Sequence, residues 1–358
     1  MQAMTTYLRP VAFVDAPFGF DGQTARLAGG MTWFSSVEVI SRTDKILVSV
    51  DRIGEFRESL PDTERFDRLW RNLVTPRPAL ALGSRTLRFD APSVMGILNL
   101  TPDSLSGDGI ADPHLAAERA VELAAAGAAI VDIGAESTRP GAKPVWEQDE
   151  LSRLTPVLDV LRDADLLISA DTRKALVMRA ALDRGARMIN DVSALLWDDQ
   201  ALRVVADAQC PVILMHHQGD PESMQQNPTY AHVLLDIFDW LETRIEACVA
   251  GGITRDAIIV DPGIGFGKTL RHNLELLNGL SIFHGLGCPL LVGASRKRFI
   301  GALSNEDPVE RRLPGSLAVA VTALSQGVQL LRVHDVGETV QTVRIWRGLR
   351  DAALIPPV

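Results

Sequence analysis

Charged and polar residues recur in this chain at the ends of short apolar runs. Arg332-Val333-His334 alternates, so a strand there places Arg332 and His334 on one face. Ser295-Arg296-Lys297-Arg298 follows another apolar run, and three adjacent cations suit an anionic ligand better than a plain turn. With Thr138 and Arg139 after a third run, these groups could surround a diphosphate, whose oxygens match the planar fork of arginine donors. Other runs end in Asn99, in Asp132 with nearby Glu136, in Asp171, in Asn190 with Asp191, in His216 and in Asp261. A lone Asp after a strand often caps the next helix. So many polar endings in one chain predict a binding site where the fold gathers them.

Two common patterns fail on spacing. Asp261-Pro262-Gly263-Ile264-Gly265-Phe266-Gly267-Lys268-Thr269 ends like a phosphate-binding loop, but the opening glycine of that pattern would fall at Pro262. It is not G-x-G-x-x-G either, because residue 268 is Lys. The glycine spacing predicts backbone pressed against a ligand, with Phe266 offering a flat face and Asp261 a carboxylate. His216, His217 and Glu222 lack the third-ligand spacing of a zinc site.

The elements that would position these groups are rhythmic. Strand-like runs over Val94–Asn99, Ala129–Ile133, Leu166–Ser169, Met188–Asn190, Pro211–Met215, Ile258–Val260, Pro289–Val292 and Leu330–Val333 alternate with helical stretches. Gly127, Gly185 and Gly327 precede strands, where a helix C-terminus needs left-handed backbone. Such alternation implies right-handed crossovers and a parallel sheet. Eight units in about 250 residues make a (β/α)8 TIM barrel, an α/β fold whose site lies at the carboxyl ends of its strands. An open doubly wound sheet is the alternative, but Asn99-Leu100-Thr101-Pro102 is not the glycine-rich turn expected after its first strand. Leu100 to Gly109 reads as a loop that closes over a ligand.

Composition bounds the rest. A chain of 358 residues with 46% apolar and 23% charged residues accommodates one large globular domain and an appendage. The net charge of −9 argues against general nucleic-acid binding. No stretch approaches the ~20 apolar residues of a membrane span, and the start of the chain lacks an apolar signal core, which predicts a cytoplasmic protein. Cys210, Cys248 and Cys288 show no paired spacing and suit buried thiols in a reducing compartment. Residues 1–77 read as a small α+β extension without a chemical constellation. It would have strands at Val37–Ile40 and Ile46–Val50, a helix over Thr63–Leu73 and a boundary at Thr75-Pro76-Arg77-Pro78. Residues 78–358 read as the barrel, introduced by a hairpin of Leu80-Ala81-Leu82 with Leu87-Arg88-Phe89. In a last helix from about Val336 to Arg350, Val340, Val343, Ile345 and Trp346 suit either packing on the barrel or a partner surface.

Several stretches together resemble the dihydropteroate synthases. They are Met95-Gly96-Ile97-Leu98-Asn99-Leu100-Thr101-Pro102-Asp103-Ser104, Glu136-Ser137-Thr138-Arg139-Pro140-Gly141, Ile189-Asn190-Asp191-Val192-Ser193 and Leu214-Met215-His216 with Gln218-Gly219. Asp261 through Lys268, Ser295-Arg296-Lys297 and Arg332-Val333-His334-Asp335-Val336 complete the set, in order from about Pro92 onward. The resemblance implies an enzyme that joins 6-hydroxymethyl-7,8-dihydropterin diphosphate to p-aminobenzoate, releasing 7,8-dihydropteroate and diphosphate. It implies that Asp171, Asn190, Asp261 and Lys297 bind the pterin and that Asn99 ligates Mg²⁺. Thr138, Arg139, Arg332 and His334 would hold diphosphate oxygens, while Phe266 and Pro140 flank the p-aminobenzoate ring. The carboxylate of p-aminobenzoate would meet backbone N–H groups near Ser295 to Arg298. Asp103 or Asp108 would stabilise a pterin-methyl cation, and the subunits would pair as a homodimer.

The opening loop departs from the family. Ser104-Leu105-Ser106-Gly107-Asp108-Gly109 stands where members usually read Ser-Phe-Ser-Asp-Gly-Gly, so an aromatic is lost and an Asp and a Gly are exchanged. His217 and Asp220 also replace residues common after the fifth strand. The expected consequence is weaker sulfonamide inhibition, strengthened by Leu105→Phe. Two other readings share part of the pattern: a methylfolate-binding methyl-transfer barrel, which would not need Asn99, Arg139, Arg332 and His334 together, and a non-catalytic pterin-binding homologue.

Overall fold

The computed structural model describes residues 6–101, 110, 112–137, 142, 144–219 and 224–355. Eight strands carry the fold: β1 (Ser93–Asn99), β2 (Ile130–Gly134), β3 (Ile168–Asp171), β4 (Met188–Asp191), β5 (Val212–Met215), β6 (Ile258–Asp261), β7 (Leu291–Val292) and β8 (Leu330–Val333). They pair in parallel in chain order from β1 to β6, with β8 on the other side of β1 and β7 beside β8. A parallel bridge between Val260 and Leu290 closes the ring, with the Val260 N–H donating to Pro289 O at 2.9 Å. The barrel and its eight strands stand where the apolar runs predicted them. Strands covered on both faces need near-continuous apolar sequence, and these runs have it.

Alternation then builds the interior in layers. Met95, Ile130, Leu167, Met188, Ile213, Ile259, Leu291 and Leu330 form one apolar core cluster, with one residue contributed beside or within each strand. Leu80, Leu82, Leu87 and Phe89 join this cluster. They come from the hairpin of Leu80–Leu82 with Arg85–Leu87, which plugs the amino-terminal end of the barrel. Its second strand begins two residues earlier than expected, which tightens the turn at Gly83 and Ser84. Side chains one position along each strand, such as Val131, Ile189 and Val260, pack outward beneath the helices.

The extension forms an antiparallel sheet. Trp33–Ile40 is its central strand, flanked by Tyr7–Val14 on one side and by Lys45–Ser49 with the two residues Ala25–Arg26 on the other. Helices Ile53–Glu58 and Glu64–Val74 follow. Tyr7–Val14 escapes a sequence reading because Pro10 argues against a strand; the structure places it at a sheet edge, where proline is tolerated. This sheet does not stand apart from the barrel. Tyr7, Phe34, Leu69 and Leu73 belong to the same apolar cluster as Phe238 and Phe283 of the outer shell. The Tyr7 ring meets Phe238 edge-on at 5.5 Å, and its hydroxyl donates to Asp239 at 2.7 Å. Arg77 is buried and donates to His284 O at 2.8 Å and Cys288 O at 3.3 Å. Carbonyls at a helix end thus accept a guanidinium that pairs with no carboxylate among the described residues.

Cys210, Cys248 and Cys288 are buried and free, and no helix among the described residues is long and apolar enough to cross a membrane. In the last helix, Val336–Ala353, the earlier ambiguity separates by position. Val336, Val340 and Val343 are buried against the barrel, whereas Ile345 is 63% exposed.

Candidate active site

One layer above the apolar floor, the inward positions are Ile97, Asp132, Ser169, Asn190, Met215, Asp261, Gly293 and Arg332. Asn99 and Asp171 stand two residues higher on β1 and β3, and Ser295 and His334 follow β7 and β8. The rim is therefore polar because period two carries β2, β4, β6 and β8 from a core residue directly to Asp132, Asn190, Asp261 and Arg332.

Asp132 is the hub of this layer. It is fully buried, and its Oδ2 accepts from Asn190 Nδ2 at 2.9 Å and from Arg332 Nε at 2.6 Å. The Arg332 Nη2 donates to Asp171 Oδ2 at 2.6 Å. One guanidinium thus spans carboxylates on two strands through charge-assisted bonds. Because the Asn190 amide nitrogen is turned to Asp132, its oxygen is the group left to meet a ligand, so Asn190 presents an acceptor. Asp132 Oδ1 is buried without a hydrogen-bond partner. Sequence reasoning placed Asp132 at a strand end but gave it no role. The signal was present in register, since Ile130 and Asp132 share a face.

Asp261 lies across the mouth. Its Oδ1 accepts the Gly263 N–H at 2.7 Å. A Cβ on Gly293 would lie 3.8 Å from Asp261 Oδ2 and 3.7 Å from Arg332 Cβ, so the missing side chain leaves that gap to a ligand. Lys297 donates to Ile264 O, and its Nζ stands 4.5 Å from the Phe266 ring centroid. His334 and Ser295 meet at 3.1 Å through Nδ1 and Oγ. The three adjacent cations diverge: Arg296, at φ +56°, donates to Asp335 at 2.9 Å, Lys297 turns to the cavity and Arg298 is exposed.

Burial dominates the electrostatics. It pushes the Asp171 carboxyl up to about 7, with Arg332 opposing and Asp132 adding to the rise. It raises Asp261 against the pull of Lys297, and it lowers the Lys297 ammonium to about 8 against the pull of Asp261. Acceptors interleaved with ammonium and guanidinium groups around the mouth can read a flat heterocycle that alternates N–H donors with acceptors.

Three polar strand ends serve the walls instead. Asp191 Oδ1 accepts the Ser193 N–H and hydroxyl, each at 2.7 Å, and closes the turn after β4. Glu136 joins a buried cluster with Arg173 at 3.0 Å, Lys174 at 3.1 Å and, through Lys174, Glu150. His216 packs against Lys268. Asn99 is half-buried at the end of β1, and its carbonyl accepts the Ile110 N–H at 3.3 Å. Asp103, Leu105, Asp108, Thr138, Arg139, Pro140, Asp220 and Glu222 lie outside the described residues.

The family described as pterin binding enzyme matches residues 95–334. The dihydropteroate synthase of Haemophilus influenzae is 42% identical over 278 residues, spanning 76% of this chain and 99% of its own. The chain belongs to the dihydropteroate synthase family. The dihydropteroate synthase of Escherichia coli strain K12 is 45% identical over 262 residues, 73% of this chain and 92% of that one. A Yersinia pestis dihydropteroate synthase, solved in complex with a sulfonamide drug, superposes with a TM-score of 0.74 at 45% identity, covering 77% of this chain and 100% of the other. As a member of the dihydropteroate synthases, the chain is a transferase that condenses 6-hydroxymethyl-7,8-dihydropterin diphosphate with p-aminobenzoate to 7,8-dihydropteroate and diphosphate.

Proposed function

We propose specific roles for this chain's residues in that condensation. Asp171, Asn190 and Asp261 would accept the N–H donors of the dihydropterin, and Lys297 would donate to its acceptors. The observation that carries this reading is the bridge of Arg332 between Asp132 and Asp171, beside an Asn190 whose oxygen is turned outward. It groups acceptors on one wall and sets a guanidinium at their edge. Arg332 and His334, with Thr138 and Arg139 from the loop after β2, would hold the diphosphate. Phe266, together with Pro140, would flank the p-aminobenzoate ring, and Ser295 lies beside the turn toward which its carboxylate would point.

The reaction breaks the bond between the pterin methylene carbon and the diphosphate oxygen and forms one from that carbon to the aniline nitrogen, which then loses a proton. Negative charge grows on the leaving oxygen, and Arg332 and His334 would offset it. Positive charge grows on the pterin methylene and ring, and ionised Asp171 and Asp261 would favour it, helped by Asp103 or Asp108 of the opening loop. An arylamine is uncharged at neutral pH, so the nucleophile needs no strong base. Asn99 offers a hard amide oxygen at the rim, which fits Mg²⁺, an ion commonly held by one or two protein oxygens together with substrate phosphates and water. Bound there, Mg²⁺ would supply charge neutralisation to the diphosphate oxygens.

Diphosphate release that requires both p-aminobenzoate and Mg²⁺ tests this reading. Binding of the pterin diphosphate without release would identify a non-catalytic homologue, and turnover of a methylated folate would identify a methyl-transfer barrel. Sulfonamides would compete with p-aminobenzoate at the same site. Buried, unpaired thiols support a cytoplasmic location, which fractionation of tagged protein would test. A homodimer finds support in the exposed apolar residues Val321 of helix Leu313–Ser325 and Ile345 and Leu349 of helix Val336–Ala353, since these two helices pack together. Light scattering on the wild type and on Ile345→Glu would test it, with a monomeric wild type overturning it.

A further inference from the structure

The loop after β6 has no regular structure, yet every carbonyl from Ile264 to Lys268 accepts a side-chain donor. Lys297 holds Ile264 O, Gln225 holds Gly265 O at 2.6 Å, and Lys268 holds Phe266 O at 2.9 Å. Tyr230 holds Gly267 O at 2.8 Å, and Asn273 holds Lys268 O at 3.3 Å. The loop lies flat on the segment after β5. A Cβ at Gly263 would come within 1.9 Å of His216 O, and one at Gly267 within 2.3 Å of Gln218 O. Backbone therefore touches backbone at Gly263 and Gly267.

Lys268 is the fastener of that seam. It is 2% exposed, and its Nζ reaches Phe266 O, His216 Nδ1 at 3.0 Å and His216 O at 3.4 Å. Burial pulls the Lys268 ammonium well below its usual range against the attraction of Asp261, and those three acceptors match the three protons it carries when charged. His216 is itself braced edge-on against Trp240 at 4.9 Å, and its N–H donates to Asp261 O at 3.0 Å. The chain thus runs from a rigid wall through His216 and Lys268 to the backbone of Phe266, whose ring lies under Lys297.

We propose that Lys268 is a positioning residue for the p-aminobenzoate platform, holding Phe266 at its working height through His216. Lys268 and His216, which matched no phosphate or metal pattern, acquire one common task. The proposal rests on the reading of Phe266 as the face that meets p-aminobenzoate.

Lys268→Met leaves the Phe266 and His216 carbonyls without their donor. It is expected to raise the KM for p-aminobenzoate at least about tenfold while the Kd of the pterin diphosphate, measured without p-aminobenzoate, stays within about twofold. Lys268→Arg, which keeps charge and donors, should recover part of the loss. Should the methionine variant fail to fold, Lys268→Gln, which retains one donor group, carries the same measurements. An unchanged KM for p-aminobenzoate, or equal losses for both substrates, would overturn the proposal. Phe266→Leu separates the two layers of inference. An unchanged KM in Phe266→Leu refutes the role of Phe266, whereas a raised KM there with an unchanged one in Lys268→Met refutes the positioning alone.

Discussion

Arg332 Nε approaches Asp132 Oδ2 to 2.6 Å, and the same oxygen accepts the Asn190 amide at 2.9 Å. The group assigned to the leaving diphosphate is therefore anchored on a carboxylate that also orients a pterin-reading side chain. With the roles proposed above, leaving-group and ring recognition would share one hinge.

Arg332→Gln should for this reason damage both steps unequally. Turnover is expected to fall on the order of a hundredfold, because the lost guanidinium would act most where charge develops. Pterin diphosphate affinity should fall less, by about tenfold, because Asp132 and Asp171 lose their shared donor. Single-turnover kinetics against calorimetric binding would measure the split. Equal losses would confine Arg332 to the pterin pocket.

Asp132→Ala removes the acceptor that sets the Asn190 amide. Affinity for the pterin diphosphate should weaken about tenfold, with the KM for p-aminobenzoate unchanged. A 2-deamino pterin analogue sharpens the measurement, since a freed amide would discriminate less between analogue and pterin. Retained discrimination would show that Asn190 is oriented by something else.

The pH profile follows from two groups. Asp171, raised to about 7, is the stronger, charge-assisted acceptor when ionised, so pterin affinity should climb as pH rises through that value. Lys297, lowered to about 8, is a charged and much stronger donor only while protonated, so affinity should decline as pH rises through it. kcat/KM for the pterin diphosphate should therefore peak between about 7 and 8, and Asp171→Asn should flatten the acidic limb. An acidic limb that survives in Asp171→Asn would assign the titration elsewhere.

Gly263→Ala should destabilise the fold by about 2 to 5 kcal/mol, from left-handed backbone at φ +71° together with overlap on His216 O. A denaturant midpoint close to that of wild type would show that the loop has room to shift.

The barrel was legible because each strand is buried on both faces and announces itself as an apolar run. Asp171, Asn190, Asp261, Lys297 and Arg332 were legible because they end or follow such runs. Their division of labour came from the family resemblance and not from the runs themselves. Asn190 and Asp191 are equally polar neighbours, and only the pleat sends one inward and the other into a turn. Lys268 was hidden for another reason: two of its three partners are carbonyl oxygens, which every residue carries and no sequence displays. The edge strand Tyr7–Val14 depends on pairing with Trp33–Ile40 across a loop, a non-local choice that composition does not encode.

The seam between extension and barrel bears on assembly in time. Tyr7 and Asp239 are bonded yet 232 positions apart in the chain. During synthesis the extension's apolar face is made long before Phe238 and Phe283 exist to cover it. Severing the chain at residue 78 would accordingly yield a barrel with an open flank rather than a minimal enzyme. The segment without catalytic residues is the one whose late docking would decide how much of the protein matures and how much aggregates.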